Sequence, residues 1–196
     1  MRKILFLFFI SAILGSIPNV LHAQNKTVFL SDSTQWADSI IATLSPDERI
    51  AQLFMVAAYS NKGESHKQQI TDLVKNYKIG GVMFLQGGPL RQANFTNHLQ
   101  EHSKIPLMIA IDAEWGVAMR LDSALRFPWQ MTLGAIEDTT LIYDMGVEVA
   151  RQCKLLGIHI NFAPVVDVNS NPKIQLLIIV PLVKILLKWL KWEWLI

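Results

Sequence analysis

Residues 105–120 read I-P-L-M-I-A-I-D-A-E-W-G-V-A-M-R. Pro106 opens the segment, an unbroken apolar run follows, and the run stops at Asp112, Glu114 and Gly116. A short apolar run bounded by Pro and Gly predicts a strand buried on both faces. Asp112 and Glu114 then fall where that strand leaves the sheet, and in parallel α/β folds ligands bind at this carboxyl end.

The same strand-then-loop pattern recurs on either side. Ser45-Pro46-Asp47-Glu48 is a helix start, with Ser at the N-cap, Pro in the first turn and Glu three residues after the Ser. Residues 50–56 are apolar enough for a first strand or for a helix running into it. Over 65–77, Ile70, Leu73, Val74 and Tyr77 recur at helical spacing. Gly80-Gly81 ends that helix and 82–85 reads as the next buried strand. A helix over 90–102 leads back to the 105–111 strand. A long loop through Phe127-Pro128-Trp129 follows, then a helix capped by Asp138 or Thr139. That helix carries Leu141, Met145, Val149, Cys153 and Leu156 on one side and closes at Gly157. Residues 158–166 form a last strand with Asp167 at its carboxyl end. Strands alternating with helices at this spacing predict βαβ units, a parallel sheet and an α/β fold class. About four units precede Asn169, half of the roughly eight in a (β/α)8 barrel.

The ends differ from the middle. Residues 1–23 read as a signal peptide: Arg2 and Lys3, an apolar core over 4–14, and Ala23 before a cut ahead of Gln24. Export to the periplasm or medium is therefore expected. The apolar core is too short to span a membrane comfortably. Residues 24–44 read as an exposed leader followed by a packing helix marked by Trp36, Ile40 and Leu44. The net charge is +2 and no Lys/Arg cluster lies in the centre, so nothing argues for nucleic acid. The one cysteine, Cys153, excludes an intramolecular disulfide and reads as a small core residue.

Carboxylates at a strand's carboxyl end can bind sugar hydroxyls, hold a metal, or serve as acid, base or nucleophile. They can also merely cap the following loop, and spacing alone leaves these readings open for Asp112 and Asp167. No histidine lies within ligand spacing of either, so neither metal nor cofactor is expected. His66, His98 and His102 fall on helical stretches and read as solvated, while His159, inside the last predicted strand, reads as a satisfied core residue. Gly80-Gly81 and Gly87-Gly88 are turns and match no phosphate-binding pattern.

Five segments in order carry a family resemblance: S-P-D-E-R-I-A-Q-L-F-M-V (45–56), I-G-G-V-M-F-L (79–85), P-L-M-I-A-I-D-A-E-W-G-V-A-M-R (106–120), F-P-W-Q-M-T-L-G-A (127–135) and G-I-H-I-N-F-A-P-V-V-D-V (157–168). Together they resemble the N-terminal barrel of glycoside hydrolase family 3, most closely its bacterial β-N-acetylhexosaminidase branch, with β-glucosidases as near relatives. The resemblance implies the N-terminal half of a (β/α)8 TIM barrel over 45–173 and a carbohydrate substrate. It also implies a retaining mechanism, with an Asp nucleophile and a His–Asp acid/base pair on a loop. The segments that carry those groups have no counterpart here, so no catalytic residue is assigned and the chain by itself is expected to be inactive. Asp112 corresponds to the family's strand-end Asp that accepts hydrogen bonds from sugar hydroxyls, and Arg120 to a substrate-binding Arg. Glu114 and Trp115 are further candidates. Where many members have Glu-Gly-Gly, this chain has Glu114-Trp115-Gly116, so Trp115 either stacks on a sugar or packs. Asp167 corresponds to a structural strand-end residue.

From 174 the sequence becomes I-Q-L-L-I-I-V-P-L-V-K-I-L-L-K-W-L-K-W-E-W-L-I, with Trp189, Trp192 and Trp194 close together. One reading is a basic hydrophobic membrane helix, which would make the chain a membrane-associated, non-catalytic sugar-binding fragment. Pro181 and the lysines weigh against a span. The other reading is a frameshift. Codons synonymous with the tail, read with one A restored to the run at Lys173, spell K-N-P-V-I-N-Y-R-S-F-G-E-N-L-I-K-V-A-K-M-G-V-A-Y, the continuation expected of the family. Resequencing through that run tests it. A half-barrel would expose sheet edges and apolar surface, so poor solubility is expected.

Overall fold

A computed structural model describes residues 34–165. The expected signal peptide, the leader up to residue 33, Asp167 and the 174–196 tail lie outside the described residues. The chain divides into two units, residues 1–43 and 44–196.

In the first unit, helix α1 (Gln35–Ala42) has no buried residue, and Trp36 is 68% exposed. The packing role read from Trp36 and Ile40 is therefore not realised within α1. Leu44, the third residue of that stripe, is buried and belongs to the second unit.

The second unit opens with helix α2 (Pro46–Ala51). Its start is the expected capping box: Glu48 N–H donates to Ser45 Oγ, and Ser45 N–H donates to the Glu48 carboxylate. Strand β1 (Met55–Tyr59) follows, so the 50–56 segment is a helix running into a strand. Helix α3 (Glu64–Asp72) continues into a π-helical turn (Leu73–Tyr77) that ends at Lys78 in the left-handed region, φ 57°. The rest of the unit is β2 (Gly81–Gln86), α4 (Pro89–His102), β3 (Met108–Ile111), a 3-10 turn (Val117–Met119), α5 (Gln130–Leu133), α6 (Thr139–Leu155) and β4 (Ile160–Asn161).

The four strands form one sheet in the order β1-β2-β3-β4, all parallel. Sequential order with helical crossovers is the arrangement of a (β/α) barrel; a doubly wound sheet reverses its strand order midway. The pairing Val56↔Val82↔Ile109 and Ala58↔Phe84↔Ile111 aligns one face across three strands. Ala58, Val82, Phe84, Ile109 and Ile111 on that face are fully buried. They form one core with Ile70 and Val74 of the α3 stretch, Phe95 and Leu99 of α4, and Cys153 of α6. Phe84 and Phe95 meet edge to face, ring centroids 5.9 Å apart.

On the opposite face of β3, Met108 is 46% exposed while Ala110 is fully buried, so the burial on both faces that the sequence predicts holds for β3 except at Met108.

Four expectations change for local reasons. Tyr77 is 62% exposed, because the π turn inserts an extra residue per turn and rotates the stripe away from the core. Leu141 is 57% exposed while Cys153 on the same helix is buried, so α6 meets the core only toward its C-terminal end. The last strand spans two residues, not nine, and Pro164, which has no N–H, follows close behind it. His159 precedes that strand and is exposed, yet its Nδ1 accepts from the Ile109 N–H at 2.9 Å, so it is satisfied without being core.

Candidate functional site

The carboxyl ends of the strands bring the candidate residues together. Asp112 follows β3 directly and, by strand alternation, shares the face of Met108 and Ala110, away from the helices. The chain then turns through Gly116, φ 88°, where a Cβ would approach Phe127 to 2.7 Å, and enters the 3-10 turn that delivers Arg120. Arg120 closes onto Asp112 twice: Nε donates to the Asp112 backbone oxygen at 2.8 Å, and Nη2 donates to Oδ2. The two side chains are 25% and 27% exposed, so the pair is sheltered but open on one side. The bonds that hold Arg120 leave part of its guanidinium and one carboxylate oxygen for a ligand.

The loop after β2 braces this corner. Gly87 N–H donates to Arg120 O at 3.1 Å, and Asp122 N–H donates to Gly87 O at 2.7 Å. A Cβ at Gly87 would fall 1.7 Å from Ser60 Oγ, so only glycine lets the ends of β1 and β2 approach this closely. Arg91 and Asp122 add an exposed ion pair on the outside.

Glu114 behaves differently from Asp112. Its Oε2 is buried and has no hydrogen-bond partner. Burial pushes its carboxyl above the ordinary range, the neighbouring Asp112 charge adds to this, and Arg120 offsets part of it. A cavity of about 390 Å³ opens beside Glu114, lined among others by Leu133, Met145, Val149, Asn161 and Pro164. Asp112 and Arg120 do not line it, and its walls are mainly apolar. The polar corner at Asp112 and this apolar cavity are separate features. Cys153 also faces the cavity; burial raises its thiol pKa, which keeps it protonated and suits a packing role.

Trp115 packs edge to face with Trp129, centroids 6.5 Å apart. Trp129 is 42% exposed and carries the Arg126 guanidinium 5.6 Å from its ring. Trp115 is thus engaged with protein, and the more open ring of the pair is Trp129.

Two residues that the sequence did not mark hold the loop itself. Asn161 accepts from Ala113 N–H at 3.0 Å and donates to Ala113 O at 3.3 Å. Gln130, 1% exposed, donates to Glu114 O at 2.8 Å and accepts from Val165 N–H at 3.1 Å.

Among the described residues no group of three or more His, Cys, Asp or Glu is placed to hold a metal. The histidines on helices are half-buried and partnered, not solvated. His66 Nε2 accepts from Tyr59 N–H at 3.1 Å, and burial with the nearby Lys62 charge lowers its pKa. His98 lies 3.1 Å from Thr71 Oγ1, and His102 lies 2.7 Å from His98 O. No helix among the described residues is long and apolar enough to cross a membrane.

Comparison with known proteins agrees with this arrangement. The chain is 27% identical over 140 residues to a β-N-acetylglucosaminidase/β-glucosidase of Cellulomonas fimi, covering 71% of this chain and 24% of that protein. It is 32% identical over 139 residues to the β-hexosaminidase LpqI of Mycobacterium tuberculosis, covering 68% and 34%. Among solved structures, the β-glucoside phosphorylase BglX bound to 2FGlc superposes with a TM-score of 0.68 at 26% identity, covering 76% of this chain and 26% of that one. A family 3 β-N-acetylglucosaminidase from a Paenibacillus strain gives 0.58 at 28% identity, covering 68% and 26%. The chain spans between 24% and 34% of the length of these two curated relatives. The description "Glycosyl hydrolase family 3 N terminal domain" matches residues 45–176, the stretch that begins at the Ser45 cap and holds the four-stranded parallel sheet and the Asp112–Arg120 corner. This chain belongs to glycosyl hydrolase family 3, through its N-terminal domain.

Proposed function

We propose that this chain supplies the sugar-binding corner of an exported, retaining glycoside hydrolase. The enzyme removes terminal β-linked N-acetylhexosamine, or β-glucose, by hydrolysis of O-glycosyl bonds. The Asp112–Arg120 pair at the end of β3 carries the reading. A carboxylate fixed by a guanidinium at a strand's carboxyl end offers an acceptor to vicinal hydroxyls and a donor beside it, the two functions a pyranose edge requires. Glu114 and Trp115 follow Asp112 in the same turn and are further candidate contacts. The relatives divide between β-N-acetylglucosaminidase and β-glucosidase or β-glucoside phosphorylase, which supports the sugar class.

Binding and bond cleavage separate in this proposal. The groups placed at the strand ends, Asp112 and Arg120, are held in an ion pair suited to binding, so residues 34–165 are expected to bind the sugar and not to turn it over. Titration of the isotope-labelled chain with N-acetylglucosamine and with glucose should shift the Asp112, Arg120 and Trp115 resonances. The chain should release no chromophore from a chromogenic β-N-acetylglucosaminide. Absence of shifts with either sugar overturns the binding assignment, and turnover by the chain alone overturns the division of labour. Export is supported by Arg2, Lys3 and the apolar run before Ala23. N-terminal sequencing of the exported product should begin at Gln24, and retention of Met1 on a cytoplasmic product would refute it.

A further inference from the structure

The β3–β4 ladder ends where it is needed most. His159 N–H donates to Ile109 O at 2.8 Å, and Phe162 N–H donates to Ile111 O at 2.9 Å. A regular parallel ladder spaces its donors by two residues, and here they lie three apart, so the register slips at the end of β4. Ala113 O accepts from Gly116 N–H at 3.0 Å within its own turn, and no β4 backbone donor reaches it among the described residues. Pro164, shortly after, has no N–H to offer. The ladder stops at Ile111, and the residues that follow are Asp112, Ala113 and Glu114.

A side chain takes over. Asn161 Nδ2 donates to Ala113 O at 3.3 Å, and Oδ1 accepts from Ala113 N–H at 3.0 Å, so one amide reproduces both bonds of a strand partner. Gln130 repeats the device one residue on: Nε2 holds Glu114 O at 2.8 Å while Oε1 takes Val165 N–H at 3.1 Å, just past the proline. Ala113 is thereby tied to β4 and Glu114, through Gln130, to Val165 beyond it. Asp112 sits immediately before the tied residues, with its own backbone oxygen held by Arg120.

We propose that Asn161 and Gln130 are positioning residues for the sugar site, forming a two-amide brace that sets the orientation of Asp112 and Glu114 where the β3–β4 ladder stops. The inference rests on the reading of Asp112 as the sugar-binding carboxylate. Neither amide touches sugar; each acts through the backbone of the 112–114 turn. The amide is required because only it presents a donor and an acceptor at fixed separation. A carboxylate of the same shape keeps the acceptor and loses the donor.

That difference supplies the test. Asn161→Asp and Gln130→Glu each leave the acceptor bond and remove the bond to Ala113 O or Glu114 O. The labelled full chain is titrated with N-acetylglucosamine and with glucose at neutral pH, and thermal unfolding is measured in parallel. Asp112→Ala serves as the control for the underlying reading. The expected result is an affinity loss of about tenfold in each variant, the equivalent of one hydrogen bond, with the Trp115 indole resonance displaced in the sugar-free protein. Restoring the amide with Asn161→Gln should recover part of the affinity, which a purely structural role would not show. Wild-type affinity in both carboxylate variants, with Asp112→Ala abolishing binding, overturns the brace and leaves the site intact. Unchanged binding in Asp112→Ala overturns the site reading and the brace with it. The two variants lie in different elements, so one that fails to fold leaves the other to decide.

Discussion

Replacing Arg120 by Met tests the corner on which the assignment depends. Methionine keeps much of the aliphatic length and removes both donors to Asp112, the one at 2.8 Å to the backbone oxygen and the one to the carboxylate. A bond to a charged group contributes about 1.5–3 kcal/mol net, and a neutral one about 1 kcal/mol. With the side chains 25% and 27% exposed, water partly replaces what is lost, which favours the lower part of each range. The expected loss is about 2–3 kcal/mol. Urea unfolding at neutral pH measures it, and a cycle with Asp112→Asn isolates the pair, whose coupling should be about 1–2 kcal/mol. A loss below about 0.5 kcal/mol, the scale of an ordinary surface substitution, or strictly additive single variants, would show that the two residues are neighbours without being an interacting unit.

Three further outcomes follow from the packing and the charges. Glu114→Gln should stabilise the chain at neutral pH: burial raises the folded-state carboxyl above its ordinary 4.5, so ionisation costs stability as pH rises through that shifted value. The gain should shrink to nothing as pH falls below the ordinary value; an equal gain at all pH values refutes it. Gly80→Ala places a Cβ 1.9 Å from the Gln52 backbone oxygen, a contact the backbone must move to relieve. Urea unfolding should show a loss at the upper end of the about 1–3 kcal/mol typical of overpacking. Phe84→Ala removes a fully buried ring packed against Phe95 and should cost about 3–5 kcal/mol in the same assay.

The features that could be read from the residues are those set by short-range rules. The Ser45–Glu48 capping box needs only four residues in sequence, and the buried strand that ends in Asp112 needs only its apolar run and the acids after it. The parallel α/β class followed from periodicity, and the barrel from five segments in order. What escaped depends on distant partners. Helical spacing assigns Tyr77 to the core, and only the π turn before Lys78 removes it. An amide inside an apolar strand, or at the first turn of a four-residue helix, carries no local mark of what it will hold, so Asn161 and Gln130 passed unnoticed. The nearest local signal is Pro164, three residues after Asn161, which has no backbone donor to offer. The apolar run places Asp112 at the strand's end, but its separation from the apolar cavity beside Glu114 depends on which way each side chain leaves the turn.

The order β1-β2-β3-β4 has a consequence for how the chain acquires its shape. Among the described strands each one after β1 pairs with the one made just before it, so none of these pairings waits for a distant segment. A chain that emerges from its N-terminal end can lay down the sheet one strand at a time, each new strand templated by the last and sealed by the helix that precedes it. Loop closure then involves a few tens of residues at every step, which keeps its entropic cost nearly constant as the sheet widens. The growing structure presents a single advancing edge, and the most recently formed strand is the one most open to mispairing until its successor arrives.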